Sequence, residues 1–164
     1  MRIVVVEDNQ DFLADLVPAL SALPGAPEVK AAASRNVALV LIEQEFFDLI
    51  VLDLTIPTID GALDAAIEHG NAVFAKSQEI APGTPIFILT GSSADEIFSS
   101  LLERKETVDI WGEQARRGTV DFLPKRLFDE LTAKVSPIAA AVQALSDVEI
   151  KKVGKPFQPL VSGQ

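Results

Sequence analysis

Short apolar runs alternate with segments of helical periodicity along the chain, and this alternation limits the fold more than any other feature. RIVVV, Arg2 to Val6, has the continuous apolar character of a strand covered on both faces. Phe12, Leu13, Leu16, Val17 and Leu20 then fall on one side of a predicted helix, with Asp8 or Asn9 as its cap. Pro18 lies inside that helix and is expected to bend or shorten it. PGAP, Pro24 to Pro27, is a loop. Glu28 to Ala32 reads as a weak strand. Ser34 then caps a second helix, with Val37, Ala38, Leu41 and Ile42 facing inward. DLIVL, Asp48 to Leu52, is the clearest strand, and the alanine-rich stretch from Gly61 to Ile80 predicts a long helix. A fourth strand is expected at Pro85 to Leu89 and a fourth helix from Ser93 to about Lys105. A fifth strand follows at Thr119 to Leu123 and a fifth helix at Leu127 to Leu145.

Five β-α units in series imply an α/β fold, a parallel sheet with helices on both faces. They suit the doubly wound, flavodoxin-like order 2-1-3-4-5 better than a closed barrel, which needs about eight units. The length of 164 residues suits one domain. The chain has no cysteine, which excludes disulfides and thiolate chemistry. Its net charge of −10 disfavours direct nucleic-acid binding, which rests on neutralising phosphates. No apolar run is long enough to span a bilayer, and MRIVVVEDNQ turns acidic too early for a signal peptide, so a cytoplasmic location without membrane contact is expected. A lone His69, expected on a helix surface, cannot build a histidine-rich metal site.

Sites in such folds form outside the carboxyl ends of the strands. There the sequence places Glu7 and Asp8 after strand 1, Asp53 after strand 3, Thr90 and Gly91 after strand 4, and Lys125 after strand 5. Three converging carboxylates repel unless a hard cation sits among them, and Mg²⁺ with a phosphoryl oxygen in its shell fits this set. A lysine ammonium and a threonine hydroxyl beside it suit a phosphoryl group. A carboxylate can itself attack phosphorus, and Asp53, at the end of a central strand, is the candidate nucleophile.

VVVEDNQDF, the run ASRNVALVLIEQEFFDLIVLDLTIPTIDG, PIFILTG and ARRGTVDFLPK together resemble the receiver domain of bacterial two-component response regulators, from about Arg2 to Leu145. The resemblance implies that Asp53 is the phosphoacceptor. It implies that Asp8 ligates Mg²⁺ directly, Glu7 holds it through water, and the Thr55 backbone carbonyl adds a ligand. Lys125 would pair with the phosphoryl group, while Thr90 and the aromatic Phe122 would form the switch. Thr55, Gly91 and Ser92 would line the approach of the attacking water and so tune how long the phosphate lasts. The donor would be a sensor histidine kinase or a histidine phosphotransfer protein. Output would pass by protein–protein contact through the surface of the fourth helix, fifth strand and fifth helix. Such a chain is no ordinary enzyme; it promotes only its own phosphorylation and dephosphorylation.

Departures accompany the resemblance. Arg126 follows Lys125 where family members carry proline, and Pro124 precedes it. Glu7 stands where aspartate is commoner, and Phe122 where tyrosine is. An insertion at about Glu106 to Ala115, ETVDIWGEQA, precedes the fifth strand and carries Trp111, either a plug over the core, the reading favoured here, or an exposed contact. Residues 1–146 then form the receiver domain, and 147–164, with Pro156 and Pro159, an extended tail or linker. The alternative readings are a pseudo-receiver that binds partners without phosphorylation, and a haloacid-dehalogenase-type phosphatase. The phosphatase needs a second acid two residues after the nucleophile, where Thr55 stands.

Overall fold

A computed structural model of the chain describes residues 1–91, 120–125 and 128–162, with side chains up to 145 except at 90, 122 and 124. Ser92, the predicted fourth helix, the 106–115 insertion with Trp111, and Arg126 lie outside the described residues, as do the side chains of Thr90 and Phe122. Five strands, β1 (Arg2–Val6), β2 (Glu28–Ala32), β3 (Leu49–Asp53), β4 (Ile86–Thr90) and β5 (Val120–Pro124), form one sheet. Its order is β2-β1-β3-β4-β5 and every pairing is parallel. This is the doubly wound order that the alternation predicts.

The helices are α1 (Gln10–Ser21), α2 (Arg35–Gln44), α3 (Ile67–Ile80) and a C-terminal helix, Phe128–Ser162. Side chains alternate across the sheet, and each face has its own core. Ile3, Val5, Leu49, Val51 and Leu89 meet Leu13, Leu16 and Leu20 of α1 and Leu131 and Val135 of the C-terminal helix. Val4, Val6, Ile50, Leu52 and Ile88 meet Ala38 and Ile42 of α2 and Val73 and Phe74 of α3 on the other face. β1 and β3 are buried on both faces and therefore read as unbroken apolar runs, while edge strand β2 has only Ala32 fully buried.

Several local expectations change. Asn9 caps α1, its side chain accepting the Phe12 N–H at 3.1 Å. Pro18 stays inside that helix, which ends three residues later. Ser34 caps α2 by accepting the Val37 N–H, but Val37 itself is exposed, because Ala38 and Ile42 are the buried residues of that face and Leu41 packs against the core only in part. β3 ends on Asp53 and β4 on Thr90, so both residues belong to strands rather than following them. Asp48 instead takes the Arg2 N–H at 2.7 Å.

The predicted helix from Gly61 begins only at Ile67. Alanine propensity is a weak prior, and specific bonds override it here. The Asp64 carboxylate accepts both the N–H and the hydroxyl of Thr58, at 3.0 and 2.6 Å. Gly61 adopts φ +77°, Ala66 is extended, and Ile56 bridges to Ala66. At the other end of the chain, the stretch read as an extended tail continues the C-terminal helix to Ser162, through Pro156 and Pro159. Among the described residues, no helix is long and apolar enough to cross a membrane.

Candidate functional site

Strand register assembles the site. Val6 pairs with Leu52, so Glu7 comes level with Asp53; Asp53 pairs with Leu89, and Thr90 with Pro124, so Lys125 leaves the sheet beside them. Glu7 also extends the ladder, its N–H donating to the Ala32 carbonyl at 2.9 Å. Because the strands are fixed by two buried cores, these side chains start from rigid backbone.

Two of the three carboxylates are out of water. Glu7 is fully buried and Asp53 nearly so, whereas Asp8 is exposed. One oxygen from each of Glu7, Asp8 and Asp53 lies within 4.8 Å of the others. Asp53 Oδ1 accepts the Thr55 N–H at 3.0 Å, which fixes the carboxylate plane and turns the chain sharply after β3. Glu7 Oε1 accepts the Asn9 N–H at 2.9 Å.

Lys125 holds the pair together. Its Nζ donates to Asp53 Oδ2 at 2.7 Å and stands 2.7 Å from Glu7 Oε2. The contact to Glu7 is a short ion pair in which Nζ is poorly aligned for a directed hydrogen bond to the buried Oε2. The ammonium also sits 5.6 Å from the centre of the Phe12 ring, and Phe12 packs edge-on against Phe128. Burial, with the neighbouring Asp53 charge, pushes the Glu7 carboxyl up to about 7, against the pull of Lys125 and the Asn9 amide. Burial works against the Lys125 charge too, but its short contacts with Asp53 and Glu7 outweigh that and raise its pKa.

One positive charge against three carboxylates leaves the cluster with an anionic excess. Three carboxylates with one oxygen each inside 4.8 Å, against a single ammonium, are the donor set of a hard divalent cation, so the residues present fit Mg²⁺. The structure thus brings together Glu7, Asp8, Asp53 and Lys125 of the residues predicted from sequence. Thr55 follows on the exposed side, and none of the described residues other than its chain neighbours comes within 4 Å of where a Cβ on Gly91 would stand. Lys125 reaches the carboxylates although no proline follows it.

Sequence reasoning missed what braces the site from below. Gly70 N–H donates to the Leu54 carbonyl at 3.0 Å, one residue after Asp53. His69, expected on the surface, is half-buried, with Nδ1 2.8 Å from the Ile56 carbonyl. Only a protonated Nδ1 can donate to that oxygen, so the bond selects the tautomer. A lone histidine in a helical stretch carries no signal of such a bond; the two glycines and two aspartates of IDGALDAAIEHG were the available hint that the segment is not one helix.

Known proteins share this arrangement of strands. A receiver domain protein from Clostridium thermocellum superposes with a TM-score of 0.60 at 19% identity, over 88% of this chain and 98% of that one. A CheY-like receiver domain protein from Methanospirillum hungatei JF-1 gives 0.52 at 21%, over 85% and 97%. NtrX from Brucella abortus gives 0.52 at 20%, over 90% of this chain, but the chain spans only 29% of NtrX. No curated protein matches the sequence. The family described as response regulator receiver domain matches residues 3–136, so the chain, with its five-stranded parallel sheet and acidic cluster, belongs to the response regulator receiver domain family.

Proposed function

We infer that Asp53 accepts a phosphoryl group from the phosphohistidine of a sensor kinase or phosphotransfer protein, and that the phosphorylated chain signals by contact with an output protein. The observation that carries this reading is the cluster of Asp53, Glu7 and Lys125 at the carboxyl edge of the sheet, with Lys125 Nζ 2.7 Å from each carboxylate. An Asp53 oxygen attacks phosphorus, the bond from phosphorus to the histidine nitrogen breaks, and an acyl phosphate forms. Asp53 is buried and held by the Thr55 amide, so it presents one orientation to the donor. Lys125, already between the two acids, turns its ammonium to a phosphoryl oxygen and pairs with the negative charge that moves outward.

Glu7, Asp8 and Asp53, with the Thr55 carbonyl, would hold Mg²⁺. When bound, the cation neutralises charge on the cluster and on the incoming phosphoryl group. The Thr90 hydroxyl, at the end of β4, and the Phe122 ring, two residues before the end of the neighbouring β5, complete the switch in this reading. Thr55, Gly91 and Ser92 border the path of hydrolytic water. A cytoplasmic location goes with this reading.

Intact mass after treatment with Mg²⁺ and acetyl phosphate tests it. The expected result is the gain of one phosphoryl group, absent in Asp53→Asn and in the presence of a chelator. No gain in the wild type would mean a receiver fold kept as a binding module without phosphorylation.

A further inference from the structure

Among the described residues, four exposed apolar side chains belong to two segments that are bonded to each other, apart from Phe46, Ile80 and Leu145, which are exposed elsewhere. Val37 and Val40, 36% and 49% exposed, stand one turn apart on α2. Ile59 and Leu63, 56% and 103% exposed, belong to the loop between β3 and α3. Backbone bonds join the two pairs. Arg35 N–H donates to the Pro57 carbonyl at 2.9 Å and Asn36 N–H to the Thr58 carbonyl at 3.1 Å. Ile59 therefore follows directly on residues docked against the first turn of α2. Ala62 N–H returns to the Ile59 carbonyl at 3.1 Å, which keeps Leu63 beside it.

This exposure is not fraying. The loop is pinned by both Thr58–Asp64 bonds and by the bridge from Ile56 to Ala66. An ordered loop that holds a leucine and an isoleucine in water contributes nothing to the core through them, and such patches mark contact surfaces.

Charge selects the occupant. Asp60, Asp64 and Glu68 are exposed in the same loop and at the start of α3, and residues 55–70 contain no lysine or arginine; Arg35, on the first turn of α2, is the cation beside them, its Nε donating to the Asn36 side chain at 3.2 Å, and the surface keeps an acidic excess. A second copy, seated by two-fold symmetry, would press these carboxylates against their own kind in a chain of net charge −10. A helix with an aliphatic stripe and flanking lysines or arginines satisfies the apolar centre and the acidic rim together. We propose that the first turns of α2 and the β3–α3 loop form a docking surface for a basic amphipathic helix of a partner protein. The surface lies on the side of the sheet's order away from β5.

The test is an amide-shift titration of the full isotope-labelled chain with a synthetic leucine–lysine amphipathic peptide, alongside a leucine–glutamate analogue. Shifts are expected at Val37, Val40, Ile59 and Leu63, with the acidic analogue silent. The double variant Ile59→Ser, Leu63→Ser should weaken binding at least about tenfold, whereas Leu145→Ser, also exposed but elsewhere, should not. Absence of binding, shifts spread over other acidic surfaces, or equal affinity in the double variant would overturn the proposal. So would self-association of the chain that the double variant abolishes, since the occupant would then be a second copy.

Discussion

Gly70 lies against the backbone of Leu54 so closely that a Cβ added to it would fall 2.2 Å from both the Leu54 Cα and the Leu54 carbonyl oxygen. Leu54 is the residue after Asp53, and its own side chain is buried, so it has nowhere to retreat. Gly70→Ala sets two effects against each other. Alanine is better in a helix by about 1 kcal/mol. Overpacking against fixed backbone costs about 1–3 kcal/mol, occasionally more, and a 2.2 Å contact is at the severe end. The clash wins, and a net loss of at least about 2 kcal/mol is expected in chemical denaturation. Stability at or above wild type would show that α3 can shift away from Leu54.

Lys125→Ala leaves Asp53 and Glu7 facing each other without the ammonium between them. Removing one partner of a buried pair costs about 3–5 kcal/mol, and partial exposure of the lysine reduces this to about 1–3 kcal/mol. The loss should be largest in chelator and smaller in Mg²⁺, because a ligand that binds only the folded chain stabilises it by mass action. Denaturation curves with and without Mg²⁺ measure both. The same variant should bind Mg²⁺ more tightly and take up phosphoryl groups far more slowly. A lysine on the rim, without contact to the acids, would move neither quantity.

The Glu7 carboxyl gives the metal-free chain a pH dependence of known sign. Its value rises from 4.5 to about 7, through burial and then the Asp53 charge. Between those values the folded chain keeps a proton that the unfolded chain has released, so this residue's contribution to stability falls as pH rises through the window. Glu7→Gln, which cannot ionise, removes that fall. The measurement is the difference in urea midpoint between wild type and variant, in chelator, at about pH 5 and about pH 8. The difference should move in favour of the variant at the higher pH. A constant difference would mean that Glu7 is ionised at both. Mg²⁺ competes with the same proton and should bind the wild type more weakly at the lower pH.

The strand ends were legible because burial on both faces writes an unbroken apolar run, and Val51 to Asp53 ends such a run on a carboxylate. Topology then converges Glu7, Asp8, Asp53 and Lys125 without any need for distances. The brace beneath them was not legible. Gly70 and Leu54 are far apart in sequence, and a glycine in a helix pattern does not announce which backbone it admits. Residues 61–66 read as helix because alanine dominates them, and the Thr58–Asp64 bonds that stop the helix are tertiary choices of a loop. Val37 was misplaced for a simpler reason: a stripe drawn at helical spacing is wider than the strip of α2 that touches the sheet.

Asp64 is the residue on which that loop turns. Its carboxyl is held below the usual range by the Thr58 hydroxyl and then the Thr58 amide. Asp64→Ala removes the acceptor of both bonds, while the Ile56–Ala66 bridge and the Gly70–Leu54 bond remain. The loop should therefore loosen locally without unfolding the sheet. Hydrogen exchange checks this: the Thr58 amide should exchange much faster, while Val51 in the central strand keeps its protection. Pro57 and Thr58 also receive the first N–H groups of α2, so Arg35 and Asn36 should lose protection together with Thr58. If Thr58 alone responds, the loop and the start of α2 are independent. If all three respond, a change at the residues following Asp53 has a bonded route to the exposed valines of α2.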